Sequence, residues 1–152
     1  MRTATLSDLN EICRIKNLHG KWFAHLRNDK IKQRIIDKQV IFQDGVVIIF
    51  SIATKMYAKI GRDTSVNIPR GATVLHNIFK DKTASAKELM KEFLKSQQRD
   101  IYLSVRKDNI LAINFYVKMG FDRVGYHNWK DGELKGSVYC WRKGGKLDEF
   151  LR

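Results

Sequence analysis

The chain has 152 residues, of which 43% are hydrophobic, so we expect one domain (1–152) with a core of its own. One proline and ten glycines argue against extended disorder. The longest apolar run, 46–50, is too short to cross a bilayer, and the first ten residues lack the apolar core of a secretory signal. These features predict a cytoplasmic protein without a membrane partner.

The charge balance is strongly positive, with 29 Lys and Arg against 16 Asp and Glu and a formal net charge of +13. A field of that sign attracts polyanions such as nucleic acid or phosphorylated ligands, although it also serves solubility. Cys13 and Cys140 are the two cysteines, and they lack histidine partners at metal-ligand spacing. We therefore expect reduced thiols and no metal site.

The first half of the chain predicts helices followed by strands. The predicted elements are a strand at 2–5, a helix at 8–18 capped by Ser7, a helix at 28–38, and two strands within 38–53. Asp44 and Gly45 form a strong hairpin signal between those two strands. Residues 55–70 lose the periodicity and predict a loop.

The second half contains the clearest helical pattern, with apolar residues at Ala86, Leu89, Met90, Phe93 and Leu94. The other predicted elements are strands at 72–79, 101–106, 121–127 and 137–142 and a helix at 109–119, with Asp108 as its cap and Gly120 as its stop. A strand, a helix and a strand in succession predict a right-handed crossover, in a mixed sheet with helices on both faces.

Three stretches of the second half, "ATVLHNIF", "KDKTASAKELMKEFL" and "YLSVRKDNILAINFYVKMGF", resemble the GCN5-related N-acetyltransferase (GNAT) superfamily. The resemblance covers residues 72–127, whereas the first 70 residues match only in element order. It implies an α/β (α+β) fold with a single GNAT-like domain. The sheet would be mixed, mostly antiparallel and twisted, with about seven strands and about four helices on both faces.

The resemblance also implies an enzyme that transfers an acetyl group from acetyl-coenzyme A to an amine. Its cofactor loop would be residues 81–86, where Asp81 replaces the usual Gln or Arg and Ala84 replaces the usual Gly. The implied cofactor-binding residues are Ile78, Phe79, Lys80, Lys82, Thr83, Ala84, Ser85, Ala86, Lys87, Asn109, Ala112 and Phe115. A helix N-terminus suits a pyrophosphate, but Asp81 would repel it unless it turns outward or pairs with a lysine. The alternative is an ordinary capped helix start in a basic protein.

Two residues carry the chemistry that the resemblance implies. Tyr116 would protonate the departing thiolate, since a phenol keeps its proton at neutral pH, although it also suits ordinary core packing. His76 has a suitable pKa range for the base that deprotonates the amine, but a buried structural histidine or an ordered water serves equally well. Because His76 and Asn77 are neighbours on a strand, we expect only one of them to face the site.

The acceptor side is predicted on the first two helices and the 55–70 loop. The candidate substrate-binding residues are Trp22, His25, Arg27, Lys30, Arg34 and Tyr57. Basic residues beside aromatic ones suit a nucleic-acid acceptor, whereas a small amine or a protein lysine would leave the charge to coenzyme A and solubility. A third reading is a degenerate GNAT domain that binds nucleic acid or protein without catalysis. The protein is expected to be a monomer or a homodimer.

Overall fold

The computed structural model describes residues 1–55 and 57–144, apart from the side chains of residues 57 and 58. The helices are α1 (Leu9–Asn17), α2 (Gly20–Phe23), α3 (Asn28–Ile36), α4 (Lys87–Ser96) and α5 (Ile110–Lys118). The strands are β1 (Val40–Gln43), β2 (Val46–Ile52), β3 (Tyr57–Lys59), β4 (Asp63–Thr64), β5 (Asn67–Pro69), β6 (Thr73–Lys80), β7 (Ile101–Arg106), β8 (Asp122–Asn128) and β9 (Gly136–Trp141).

Seven strands form one open sheet in the order β1-β2-β6-β7-β9-β8-β4, and β3 pairs with β5 in a separate small sheet. The β6 and β7 strands run parallel, with Thr73 opposite Ile101, and α4 is the crossover between them. The pairs β1–β2, β7–β9, β8–β9 and β4–β8 are antiparallel. The predicted mixed, mostly antiparallel α/β fold is confirmed.

The chain divides into two compact units. The first unit comprises Met1–Phe50 and His76–Phe93, and the second unit comprises Ser51–Leu75 and the residues from Leu94 onward. The prediction of a single domain over 1–152 therefore stays a prediction.

The core of the first unit is built from helices packed on the β1–β2 hairpin. Its buried members are Ala4, Ile12, Cys13, Ile15, Leu26, Ile31, Ile35, Val40, Val47, Ile49 and Phe79. Four consecutive residues of β2, from Val46 to Ile49, are buried. Since successive side chains of a strand point to opposite faces, both faces of β2 are covered.

The hairpin turn was predicted correctly, and its backbone conformation explains why Asp44 and Gly45 occupy it. Asp44 (φ 51°) and Gly45 (φ 76°) both adopt the left-handed conformation that a two-residue hairpin requires. The Gly45 carbonyl then accepts a hydrogen bond of 2.8 Å from the Asp81 N–H. The turn is thus fastened to the segment that precedes α4.

Two predicted helix caps are wrong. Thr5 precedes the 3₁₀ turn Leu6–Asp8 that leads into α1, and its N–H donates to the Asp8 carboxylate at 2.8 Å, so Ser7 is not the cap. Asn109 caps α5 by accepting from the Ala112 N–H at 3.3 Å, while the neighbouring Asp108 pairs with Arg106.

The segment predicted as a loop at 55–70 contains the three short strands β3, β4 and β5. In the second unit β4 pairs with the end of β8, and Ile68 of β5 packs in a small core with Ala53 and Ala72. Strands of two or three residues are too short to display a hydrophobic period, so the sequence pattern does not show them.

We expect Gly45→Ala to lower the free energy of unfolding by about 1–2 kcal/mol, because a side chain at this φ is strained. The added methyl would also lie 3.2 Å from the Ala84 Cβ. Gly20→Ala is the matched control, since no heavy atom lies within 4 Å of its added methyl. Urea denaturation measures both variants, and equal losses would contradict the role given to the turn.

Candidate active site

The turn into α4 is open to solvent and rich in groups that bind anions. Lys82, Thr83, Ser85 and Lys87 are exposed, whereas Ala84 and Ala86 are half-buried. The Met90 N–H donates to the Ala86 carbonyl at 2.9 Å, which is the first hydrogen bond of the helix. The N–H groups of the helix residues before Met90 therefore have no acceptor within the helix. These N–H groups, the helix dipole and the two lysines suit a bound phosphate group.

Asp81, the acidic residue in the predicted cofactor loop, pairs with Arg14 of α1. The Arg14 Nη2 donates to Asp81 Oδ2 at 2.7 Å, and the Lys82 N–H donates to Asp81 Oδ1 at 2.9 Å. The hydrogen bond from Arg14, followed by that from the Lys82 N–H, lowers the pKa of Asp81. Because the Arg14 guanidinium also pairs with Glu11, it offsets only part of the charge that would repel a phosphate.

The methyl group of Ala84, which replaces the usual glycine, lies toward the hairpin turn. Its Cβ would touch a methyl group added at Gly45, at 3.2 Å, and its N–H donates to the Asp81 carbonyl at 3.1 Å. The side chain therefore packs against the protein at this position.

His19 and Phe79 hold the chain just before the turn. The His19 Nε2 donates to the Lys80 carbonyl at 2.7 Å, which commits that nitrogen to a structural bond. Phe79 is buried in the core of the first unit, with its ring centroid 5.1 Å from that of Phe23. Only the backbone of Phe79 is therefore available to a cofactor, and the half-buried Ile78 and Lys80 flank it.

Tyr116 lies in the second unit with its ring packed between Phe115 (5.8 Å) and Phe121 (5.7 Å). The residue is 8% exposed, and burial raises the pKa of its phenol above the usual value of 10. The phenol therefore keeps its proton at neutral pH.

The helix around Tyr116 buries a narrower face than its sequence predicts. Met119 is buried, and Ala112 and Phe115 are half-buried, as expected. The helical spacing in the sequence also predicts that Ile110, Ile113 and Val117 widen this face. Ile113 is half-buried, but Ile110 and Val117 are 58% and 53% exposed, because a helix that is apolar nearly all round does not show which side packs.

A pocket of about 740 Å³ lies in the first unit between α3, the segment before it, and β6. It is lined by His25, Leu26, Arg27, Asp29, Lys30, Gln33, Arg34, His76 and Asn77. Four of the predicted substrate-binding residues therefore line one pocket together with the predicted base. His76 and Asn77 both line the pocket, and a residue can do so with its backbone as well as its side chain. The expectation that only one of the two side chains faces the site therefore stays a prediction.

His76 is neutral in this pocket at physiological pH. Desolvation by the pocket, followed by the positive charges of Arg34 and Lys30, lowers its pKa to about 4. His76 is an exposed residue of the pocket lining. It can therefore accept a proton, although a base with so low a pKa is weaker than one matched to neutral pH.

Trp22, another candidate, does not line this pocket. Trp22 is half-buried, and the Lys21 ammonium lies 4.7 Å from its ring centroid. The side chain of Tyr57 lies outside the described residues. In the described part of the chain, no helix is long and apolar enough to cross a membrane, and no cluster of His, Cys, Asp and Glu could hold a metal ion.

The fold is that of the GNAT acetyltransferases. The chain is similar to a GNAT-family acetyltransferase from Streptococcus agalactiae 2603 (TM-score 0.69, 12% identity, 95% of each chain covered) and to one from Bacillus cereus ATCC 10987 (0.64, 17%, 92% of this chain and 94% of that one). It is also similar to the ribosomal-protein-alanine N-acetyltransferase of Brucella melitensis (0.60, 14%, 93% and 98%). No protein-family model matches the sequence, and neither does any curated protein.

We expect Arg14→Met to weaken coenzyme A binding by about three- to fivefold, since it leaves the Asp81 carboxylate unpaired beside the turn and an exposed ion pair is worth this much. Adding Asp81→Asn should restore the affinity. Arg2→Met is the matched control, because Arg2 pairs with Asp8 at another exposed position. Isothermal calorimetry measures all four proteins, and equal affinity of Arg14→Met and wild type would contradict the proposed role of this pair.

We expect His76 to titrate with a midpoint of about 4, against its usual 6.5, in the NMR shifts of its ring. Between these two values the unfolded chain binds a proton that the folded chain does not. The free energy of unfolding therefore decreases as the pH falls from 6.5 to 4. His76→Asn should remove that part of the pH dependence of the free energy of unfolding. A midpoint at the usual value would contradict the desolvation of this ring.

Proposed function

We propose that the protein is an acyl-coenzyme A-dependent N-acyltransferase that transfers an acetyl group to an amine. The observation that carries the proposal is the turn into α4, whose exposed lysines and hydroxyls adjoin a helix N-terminus while the Asp81 carboxylate is paired with Arg14. The GNAT fold supports the same activity. The departures from the usual loop sequence are compatible with cofactor binding, because both side chains are engaged by the protein.

The residues around the turn fit a diphosphate. Lys82 and Lys87 supply positive charge, Thr83 and Ser85 supply hydroxyl donors, and the helix supplies backbone N–H groups. Ala112 and Phe115 of the second unit are half-buried, and their predicted contact with the cofactor stays a prediction. The Asn109 side chain caps α5, so we assign that residue a positioning role through the start of this helix.

Acetyl-coenzyme A supplies the acyl group as a thioester. The amine must first lose a proton, and we assign its removal to His76 or to a water that His76 orients. The amine nitrogen then forms a bond to the carbonyl carbon as the carbon–sulfur bond breaks. Tyr116 gives its phenolic proton to the departing sulfur. Its raised pKa keeps the phenol protonated at neutral pH but also makes it a weaker acid toward the thiolate.

The acceptor is the part of the function that the fold does not specify. A nucleic-acid acceptor stays a prediction, and the observation that favours it is the net charge of +13. The relative from Brucella melitensis is named for a protein alanine, which favours a protein amine as the alternative. A domain that binds nucleic acid or protein without catalysis would bind no acetyl-coenzyme A, and calorimetry distinguishes it from both.

We expect Tyr116→Phe to lower kcat by about 100-fold, the usual scale of a positioned acid, while the affinity for acetyl-coenzyme A stays within twofold. Tyr126→Phe is the control, because that exposed tyrosine is 42% accessible. Release of free thiol in the presence of a panel of amines measures turnover, and calorimetry measures affinity. An unchanged rate in Tyr116→Phe would remove Tyr116 from the mechanism, and absence of acetyl-coenzyme A binding would overturn the proposed function.

A further inference from the structure

The pocket between α3 and β6 carries positive charge that its own carboxylate does not balance. Asp29 forms two hydrogen bonds with Arg27, from Nε and Nη2, so these two side chains neutralise each other. Lys30 and Arg34 form no ion pair with any carboxylate in the described ranges. With His76 neutral, the lining keeps the charges of Lys30 and Arg34 uncompensated.

Arg34 is held in place by a neutral partner. Its Nη1 donates to the Gln39 amide oxygen at 2.7 Å, and the Gln39 N–H donates in turn to the Arg34 carbonyl at 2.9 Å. Desolvation lowers the pKa of Arg34, and the charge of Asp37 opposes this only in part. A half-buried guanidinium whose fixed partner is an amide keeps most of its five donors for a ligand.

The wall of the pocket before α3 is fastened to α1. The Lys16 ammonium donates to the Leu26 carbonyl at 2.8 Å and to the Asn28 side-chain oxygen at 2.7 Å. Asn28 is the first residue of α3, so these bonds fix the start of the helix that carries Lys30 and Arg34. A volume of about 740 Å³ suits a small molecule or the end of a larger one.

We propose that this pocket binds an acceptor that carries a phosphate or carboxylate group as well as its amine, and that Arg34 and Lys30 hold the anionic group. This inference rests on the proposed function in one respect, that the bound molecule is the amine acceptor. The presence of an anion site in the pocket does not depend on the proposed function. An anion there would also oppose the charges that depress His76. The other titratable groups that line the pocket are His25 and the Arg27–Asp29 pair, and they surround His76 both with and without a bound anion.

The first test measures anion binding without coenzyme A. Inorganic phosphate and acetate are titrated separately into the full chain, and the NMR shifts of the His76 ring report occupancy. We expect saturation with a dissociation constant of about 1 mM, the scale of a few charge-assisted hydrogen bonds. The anion that binds more tightly identifies the chemical source, and the titration midpoint of His76 should rise when it is bound.

Three variants localise the site. Arg34→Met and Lys30→Met should each weaken the binding about tenfold, the value of one hydrogen bond to a charged group. Lys32→Met is the matched control, because Lys32 is exposed on the same helix and does not line the pocket. The proposal is overturned if neither anion gives a saturable shift, or if Lys32→Met loses as much affinity as Lys30→Met.

The second test uses turnover with matched amines, namely an amino acid and its amide, and an amino alkyl phosphate and the corresponding amino alcohol. The anionic member of a pair should have a kcat/KM about tenfold higher, and Arg34→Met should abolish that preference. Equal kcat/KM values within every pair would contradict the proposal. If anions bind in the pocket but acetyl-coenzyme A does not bind, the proposed function fails while the anion site stands.

Discussion

The contact between Arg14 and Asp81 determines what the turn before α4 can do. The two side chains are about half and one-third exposed, so an ion pair of this kind adds little to stability. Its effect is on charge and position, because Arg14, which also pairs with Glu11, offsets part of the charge of the Asp81 carboxylate and holds that carboxylate against α1. The Gly45 carbonyl and the His19 ring both hold the peptide unit that joins Lys80 to Asp81, through the Asp81 N–H and the Lys80 carbonyl. The positive end of α4 is thereby left facing solvent.

The strongest local signals in the sequence predicted their elements closely. The Asp44-Gly45 hairpin and the strand at Ile101–Arg106 have the expected bounds, and α4 carries the expected apolar face. Each of these features depends on residues close together in the chain. The helix caps were harder, since Thr5 and Ser7, like Asp108 and Asn109, offer similar oxygen atoms, and only the local backbone decides which one binds an N–H.

The candidate site was also predictable from the sequence only in part. Four of the candidate substrate-binding residues line one pocket with His76, namely His25, Arg27, Lys30 and Arg34. The role of Arg14 could not be predicted, because its partner is 67 positions away in the chain and an arginine on a helix face looks like any solvated charge. The amide that orients Arg34 was likewise missed, since Gln39 follows the end of α3 and shows no pattern of its own.

The central claim is that the turn into α4 binds the diphosphate of coenzyme A, and amide NMR tests it most directly. Coenzyme A and pantetheine, which lacks the diphosphate, are titrated into the labelled protein in separate experiments. The account predicts saturable shifts of the Lys82–Lys87 amides with coenzyme A and none at these amides with pantetheine. Shifts of equal size with both compounds, or amides of the turn that stay in place as coenzyme A binds elsewhere, would contradict it.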